Sequence, residues 1–229
     1  MAASVKTKDL RTQAFVLRRT NYGETDRILN LLTPEGKIAV LAKGVRREKS
    51  KLAGGIELFS LSDVTIHSGK SELGILTSAR MVRHYGAVAT DLARLTLASE
   101  VLKQISQATE QVYSPEYFEI LKQVLAALDE GYDLELVETW FWLNFARVRG
   151  EELNLYYDAS GARLQAETTY VWDSTENALR AEPRGNVGAE HIKLMRLILS
   201  NSLTVVARVR NLSDLLPPVN YIAKALNQL

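Results

Sequence analysis

The 229-residue chain has no cysteine. That absence excludes disulfides, thiolate zinc sites, iron–sulfur clusters and a cysteine nucleophile together. No uninterrupted apolar run approaches the ~20 residues that a membrane-spanning helix requires. Residues Met1 to Lys8 also lack the apolar centre of a secretory signal. The expectation is a soluble intracellular protein with no membrane association. Histidine is scarce: His67, His84 and His191 stand singly in unlike contexts, with no second ligand at metal spacing. Aromatic residues are thin in the first half, where Phe15, Tyr22, Phe59 and Tyr85 are the only ones before residue 90.

What the chain does have is an uneven distribution of charge. Its total is only +1, but residues 1 to 85 hold 15 Lys and Arg against 8 Asp and Glu, a net +7. Residues 86 to 229 hold 13 against 19, a net −6. Such an asymmetry points to two regions with different partners, the basic one suited to a polyanion. Within it, Lys43-Gly44-Val45-Arg46-Arg47-Glu48-Lys49-Ser50-Lys51 puts five cations in nine positions.

Hydrophobic periodicity changes near residue 85. Before it, short segments at Gln13–Leu17, Arg27–Leu32, Lys37–Ala42, Leu58–Ile66 and Leu73–Thr77 are separated by Asn21-Tyr22-Gly23, Pro34-Glu35-Gly36, the basic loop and Ser68-Gly69-Lys70. Five short strands over about 70 residues predict a small antiparallel barrel of OB-fold size. After residue 90 the spacing becomes helical. Leu95, Ala98, Val101, Leu102 and Ile105 share a face, as do Tyr117, Leu121, Val124, Leu125 and Leu128, and then Leu134, Val137, Phe141, Phe145 and Val148. Ser114-Pro115-Glu116 provides a cap and a first-turn proline for the second helix.

Between residues 153 and 185 the helical pattern lapses. Leu153–Tyr157 and Arg163–Gln165 flank Asp158-Ala159-Ser160-Gly161 as a hairpin, and Thr168–Trp172 adds a strand. Helix returns over His191–Ser200 and again in the final segment, where Pro217-Pro218 sets the expected start. The predicted fold class is α+β, an N-terminal five-stranded OB-fold barrel over residues 1–85 followed by an α-helical domain over 86–229 with a small β-hairpin insertion.

Catalytic signatures fail on inspection. Gly69-Lys70-Ser71 resembles the end of a phosphate-binding loop, but the glycine required five positions earlier is Val64. Glu24 and Asp26 lie two apart, on one face of a strand, with no nucleophile or pocket nearby, and read as polar contacts at a strand start. The sequence therefore assigns no catalytic residue, no metal ligand and no cofactor.

Binding a polynucleotide backbone needs several Lys or Arg side chains on one surface, each contact releasing condensed counterions. Lys43, Arg46, Arg47, Lys49 and Lys51 supply such a row, and Arg18 and Arg19 at the end of an earlier strand extend it. The few aromatics favour backbone-dominated, sequence-tolerant binding over base readout. A merely solvated loop would carry the same charge, and a protein-interaction scaffold built on an OB-like barrel is the alternative function.

Several blocks taken in order carry a family resemblance. Ala14-Phe15-Val16-Leu17 is followed by Asn21-Tyr22-Gly23-Glu24-Thr25-Asp26-Arg27-Ile28-Leu29, then Leu32-Thr33-Pro34-Glu35-Gly36-Lys37, then Ala42-Lys43-Gly44-Val45-Arg46-Arg47 with Lys49-Ser50, then Leu58-Phe59. Over residues 12 to 85 this resembles the N-terminal domain of the RecO family, recombination mediators of the RecFOR pathway. The helical remainder is similar in architecture. The resemblance implies a cytoplasmic, nucleoid-associated protein that binds single- and double-stranded DNA and anneals complementary strands. It further implies action with RecR, engagement of the tail of single-stranded-DNA-binding protein and, indirectly, loading of RecA. Many members carry a four-cysteine zinc-finger-like insertion, and residues 153 to 185 here have none. Tyr156, Tyr157, Tyr170 and Trp172 are expected to substitute apolar packing for the metal.

Overall fold

The computed structural model describes residues 8–68, 73–110 and 113–227. The turn and phosphate-loop lookalike at Gly69 to Ser71 lie outside them. Contacts cluster into two units, residues 1–125 and 126–229, the division falling inside a helix.

The first unit is built on five strands, β1 (Lys8–Tyr22), β2 (Asp26–Thr33), β3 (Gly36–Ala42), β4 (Ser60–Ser68) and β5 (Gly74–His84). They form a closed sheet in the order β1-β2-β3-β5-β4, with β4 returning to β1. This is the five-stranded barrel of an OB-fold. β1 closes it by dividing its length: Lys8 to Phe15 pair with β4, and Phe15 to Tyr22 with β2. Among the described residues the parallel seam, between β3 and β5, is two residue pairs long, Val40 with Gly74 and Leu41 with Ile75.

Alternation along β1 explains the continuous apolar run Ala14-Phe15-Val16-Leu17, because the strand is covered on both faces. Ala14 and Val16 join Leu29, Leu31, Val40, Val64 and Ile66 in the barrel core. Phe15 instead packs against Phe118, with ring centroids 5.2 Å apart, on the barrel's outer side. Two further tethers hold the helical part of this unit to the β2–β3 turn. Lys37 Nζ donates to the Ser106 carbonyl at 2.8 Å and pairs with Glu110, while the Tyr113 hydroxyl donates to the carbonyls of Thr33 and Pro34.

β5 is longer than expected: the sequence reading ends it at Thr77, whereas the strand continues to His84. The added residues are mostly exposed and show no alternation, so they hold strand geometry through backbone pairing with Ser60 to Thr65 of β4 rather than by burial.

The three long helices form where periodicity placed them, α1 (Leu92–Ala108), α2 (Glu116–Asp129) and α3 (Leu134–Arg149). Side chains of Asp91 and Asp133 cap α1 and α3 by accepting from the amides of Arg94 and Leu136, both at 2.9 Å. The Ser114 hydroxyl accepts from Glu116 N–H at the start of α2.

The second unit packs α3 against α4 (Ala189–Ser200) and α6 (Leu212–Ala225), with the single turn α5 (Leu203–Val206) between them. Its core includes Trp140, Phe141, Phe145, Met195, Ile198, Val219 and Ile222. The final helix corrects the sequence reading: it begins at Leu212, and Pro217 and Pro218 lie inside it. Two consecutive prolines remove two amide donors, leaving only the carbonyls of Ser213 and Asp214 without helical partners. Both residues are exposed, while Leu216, Val219 and Ile222 are buried on the opposite face.

The insertion also differs in detail. Its two-stranded sheet joins β6 (Tyr170–Asp173) to β7 (Ala178–Ala181), a strand absent from the sequence reading. The expected hairpin around Asp158 is reduced to one bridge, Tyr157 with Arg163, over a turn in which the Asp158 carboxylate accepts from Ser160 and Ala162. Of the four aromatics expected to pack it, Tyr170 is buried, Trp172 is half-buried edge-on to Tyr221, and Tyr156 and Tyr157 are exposed.

At the start of α4 the Gly188 amide donates to His191 Nδ1 at 3.0 Å, which requires a neutral ring, and burial pushes the His191 pKa down. The unfolded chain therefore takes up this proton first. Stability should be unaffected above pH ~6.5, decline as pH falls below it, and level off beneath the folded value. Thermal melts between about pH 7.5 and 5 should show a decline that His191→Asn reduces.

Candidate nucleic-acid interface

The basic segment follows β3 and is an ordered loop. Val45 is 3% exposed and belongs to the barrel core, so the chain between the cations is plugged into the sheet. Gly44 sits at φ +62°, a left-handed conformation that residues with a Cβ adopt at a cost. Its amide donates to Asp26 Oδ1 at 2.7 Å, and Arg46 N–H donates to the Thr25 carbonyl at 2.9 Å. Further turns are closed by Arg47 N–H to the Gly44 carbonyl and Ser50 N–H to the Arg47 carbonyl.

Asp26 is thus the hinge pin of the loop. The hydrogen bond from Gly44 and that from the Thr25 hydroxyl hold its pKa below the ordinary carboxylate value against some burial, with the charges of Arg47 and Lys43 adding to the effect. It stays ionised throughout the neutral range. Glu24 and Asp26 read in the sequence as polar contacts at a strand start; the role of Asp26 emerges only from the β2–β3 register, whose end pair Arg27–Ala42 brings Asp26 near Gly44. Asp26→Ala should leave every loop cation in place but unfix their spacing. We expect a ~3- to 10-fold loss of DNA affinity, from ordering the loop on binding, measured by fluorescence anisotropy.

Lys43, Arg46, Arg47, Lys49 and Lys51 are all exposed, and among the described residues none forms a salt bridge. Arg46 additionally donates to the Gly23 carbonyl at 3.3 Å, tying the loop to the β1–β2 turn. Arg18 and Arg19, adjacent on β1, diverge. Arg19 points toward the segment after the loop and pairs with Glu57 at 2.8 Å, so part of its charge is already neutralised. Arg18 is exposed and lines a groove against α1. The structure therefore places the five loop cations together after β3, with Arg19 engaged by Glu57 and Arg18 lining the groove.

Among the described residues, no group of three or more His, Asp or Glu is arranged to hold a metal ion, and no helix is long and apolar enough to cross a membrane. The second unit carries a cleft of about 620 Å³ lined by Leu153, Leu155, Tyr156, Leu199 and two cations, Arg147 and Arg196. Arg196 donates to the Leu155 carbonyl and lies over the Tyr156 ring, 4.7 Å from its centroid.

A closed five-strand barrel with an ordered cationic loop, followed by a helical half, defines an OB-fold protein of two-part construction. Comparison with known sequences narrows this. The family described as Recombination protein O N terminal matches residues 7–85, and that described as Recombination protein O C terminal matches residues 89–215. The DNA repair protein RecO of Dehalococcoides mccartyi strain CBDB1 is 30% identical over 230 aligned positions, covering 96% of this chain and 90% of the relative. That of Roseiflexus sp. strain RS-1 is 30% identical over 87% of this chain and 73% of the relative. That of Synechococcus elongatus strain PCC 7942 reaches 40% identity over 47% of this chain and 41% of its own. The chain belongs to the RecO family.

Proposed function

We propose that the protein is a DNA repair and recombination mediator that works by binding rather than by catalysis. In this reading residues 1–85 are the DNA-contacting domain and residues 86–229 serve partner proteins. The observation that carries it is the ordered loop of five exposed cations, because held charges at fixed spacing match the regular phosphates of a DNA backbone at little ordering cost. Two free strands repel one another along their length. Cations bound to each lower that repulsion, which supports annealing of complementary strands.

Phosphate contacts are indifferent to base sequence, and single and double strands both present them. The protein is then able to act on DNA coated by single-stranded-DNA-binding protein, with RecR, to help load RecA, in the cytoplasm at the nucleoid. The cleft at Arg147 and Arg196 suits the acidic, apolar-ended tail of the single-stranded-DNA-binding protein, since it joins two cations to leucine walls. Of other cations in this unit, Arg149 pairs with Glu151 and Lys193 with Glu190.

The test combines titration of labelled single- and double-stranded DNA at two salt concentrations with an annealing assay on complementary oligonucleotides. The wild type is compared with a variant carrying alanine at Lys43, Arg46, Arg47 and Lys49. Loss of both activities supports the reading. Binding that is weak and insensitive to salt in the wild type would favour a protein-interaction scaffold instead.

A further inference from the structure

Of the four aromatics before residue 90, Phe15 and Tyr85 are buried in packing. Tyr22 is exposed at the β1–β2 turn, and Phe59 is half-buried in a groove between the barrel and α1. That groove, about 460 Å³, has a floor of Leu17, Leu58, Phe59 and Leu102 and carries Arg18 and Lys103. A volume of this size lies within the range of small-molecule sites, ~300–1,000 Å³. Both of its cations reach solvent, and Lys103 pairs with Glu100 on its own helix at 3.5 Å. The carboxylate of Glu110, also in the groove, is engaged by Lys37 at 3.1 Å, so it is compensated and leaves the cations to act.

The backbone at Phe59 is unusual. Its φ is +54°, a left-handed conformation that is a genuine outlier for a bulky residue. It is kept there by neighbours: Tyr85 N–H donates to the Phe59 carbonyl at 2.9 Å, and the Ser60 hydroxyl donates to the Glu57 carbonyl at 2.6 Å. Strain of this kind persists where the surroundings over-determine it, and such residues cluster at ligand sites. The same connecting segment begins with the five loop cations and ends at Phe59, and Arg18 lies next to Arg19 on β1. Along β1, Arg18 lies four residues before Tyr22, about 13 Å from the β1–β2 turn to which Arg46 ties the loop.

We propose that this groove accepts an unstacked base of single-stranded DNA, with Phe59 as its stacking face and Arg18 and Lys103 taking the flanking phosphates. An aromatic face binds any base because every base has a π-face, so the site adds no sequence preference. It does add a preference for strand state. Bases of a duplex are paired and stacked and cannot enter, whereas the loop cations meet both forms alike. The inference rests on the DNA-binding reading above and assigns the discrimination between single strand and duplex to one residue.

The test measures affinity for three probes, an oligothymidylate, an abasic oligomer of the same length and a duplex, with the wild type, Phe59→Asn, Phe59→Leu and Phe59→Tyr. Asparagine tolerates the left-handed backbone and removes the ring; leucine keeps apolar packing without a π-face. Both should lose ~5- to 100-fold on the oligothymidylate, the range for one stacked base, and be unchanged on the abasic and duplex probes. Tyrosine should retain the wild-type pattern. A wild type that binds oligothymidylate and abasic oligomer equally overturns the proposal, as does an equal loss on all three probes or no loss in Phe59→Leu. Failure of the wild type to bind any of the three overturns instead the DNA-binding reading on which it rests.

Discussion

Replacing Lys43, Arg46, Arg47 and Lys49 with alanine is expected to weaken single-strand binding by about two orders of magnitude at ~200 mM salt, and to flatten its salt dependence. The magnitude follows from counterion release. Each phosphate contact contributes ~0.7 to the slope of log affinity against log salt on a single strand, so four lost contacts remove about 2.8. Over a fourfold rise in salt the wild type should lose ~50-fold more affinity than the variant does. Fold loss is not the cause, since all four side chains are exposed, while buried Val45 and the amide bonds to Asp26 and Thr25 are untouched. Changing the two arginines to lysine instead should preserve the slope, because charge sets it. An alanine variant with unaltered affinity and slope would remove this loop from the interface.

Much of the scaffold behind that loop was legible because its signals are local. Alternation and turn residues mark β1 to β4, and three apolar stripes mark α1 to α3, where burial on one face requires the period seen. Misreadings arose where backbone pairing or tertiary burial overrides local preference. The outer half of β5 has no alternation because neither face is deeply covered, and β7 owes its strand form to pairing with β6. Pro217 and Pro218 are strong local stop signals, but they lose only two exposed carbonyl partners against the burial of one helix face.

The candidate site divides the same way. A run of five cations is visible in one dimension, while the features that make it a surface are not. Asp26 reaches Gly44 across a strand pair, Glu57 neutralises Arg19 from 38 positions away, and Arg18 turns toward α1. Arg196 enters its cleft through a contact with Leu155, 41 positions distant. Phe59 looks like any strand-edge aromatic until its φ is known.

The second large effect is structural, and it returns to the missing cysteines. With no thiolate available, no zinc–cysteine cross-link can hold the insertion, so its order rests on packing and backbone pairing. Tyr170 is the keystone: it is 1% exposed, exchanges backbone hydrogen bonds with Val187 at 2.8 and 3.0 Å, and its hydroxyl accepts from Gln165 N–H. Gly185 lies so close that an added Cβ would sit 2.2 Å from the Tyr170 carbonyl oxygen and 2.6 Å from its nitrogen. Backbone cannot swing aside as a side-chain tip can, so Gly185→Ala must break either this pairing or the turn in which Gly185 N–H donates to the Glu182 carbonyl. Overpacking against fixed backbone costs up to ~3 kcal/mol. For a chain of this length that corresponds to a melting temperature lower by on the order of 10 °C. Limited proteolysis should cut first between residues 153 and 187. DNA affinity through the loop should be retained, since residues 43 to 51 belong to the other unit. A variant that melts and digests like the wild type would mean that the close approach at Tyr170 is not what holds the insertion together.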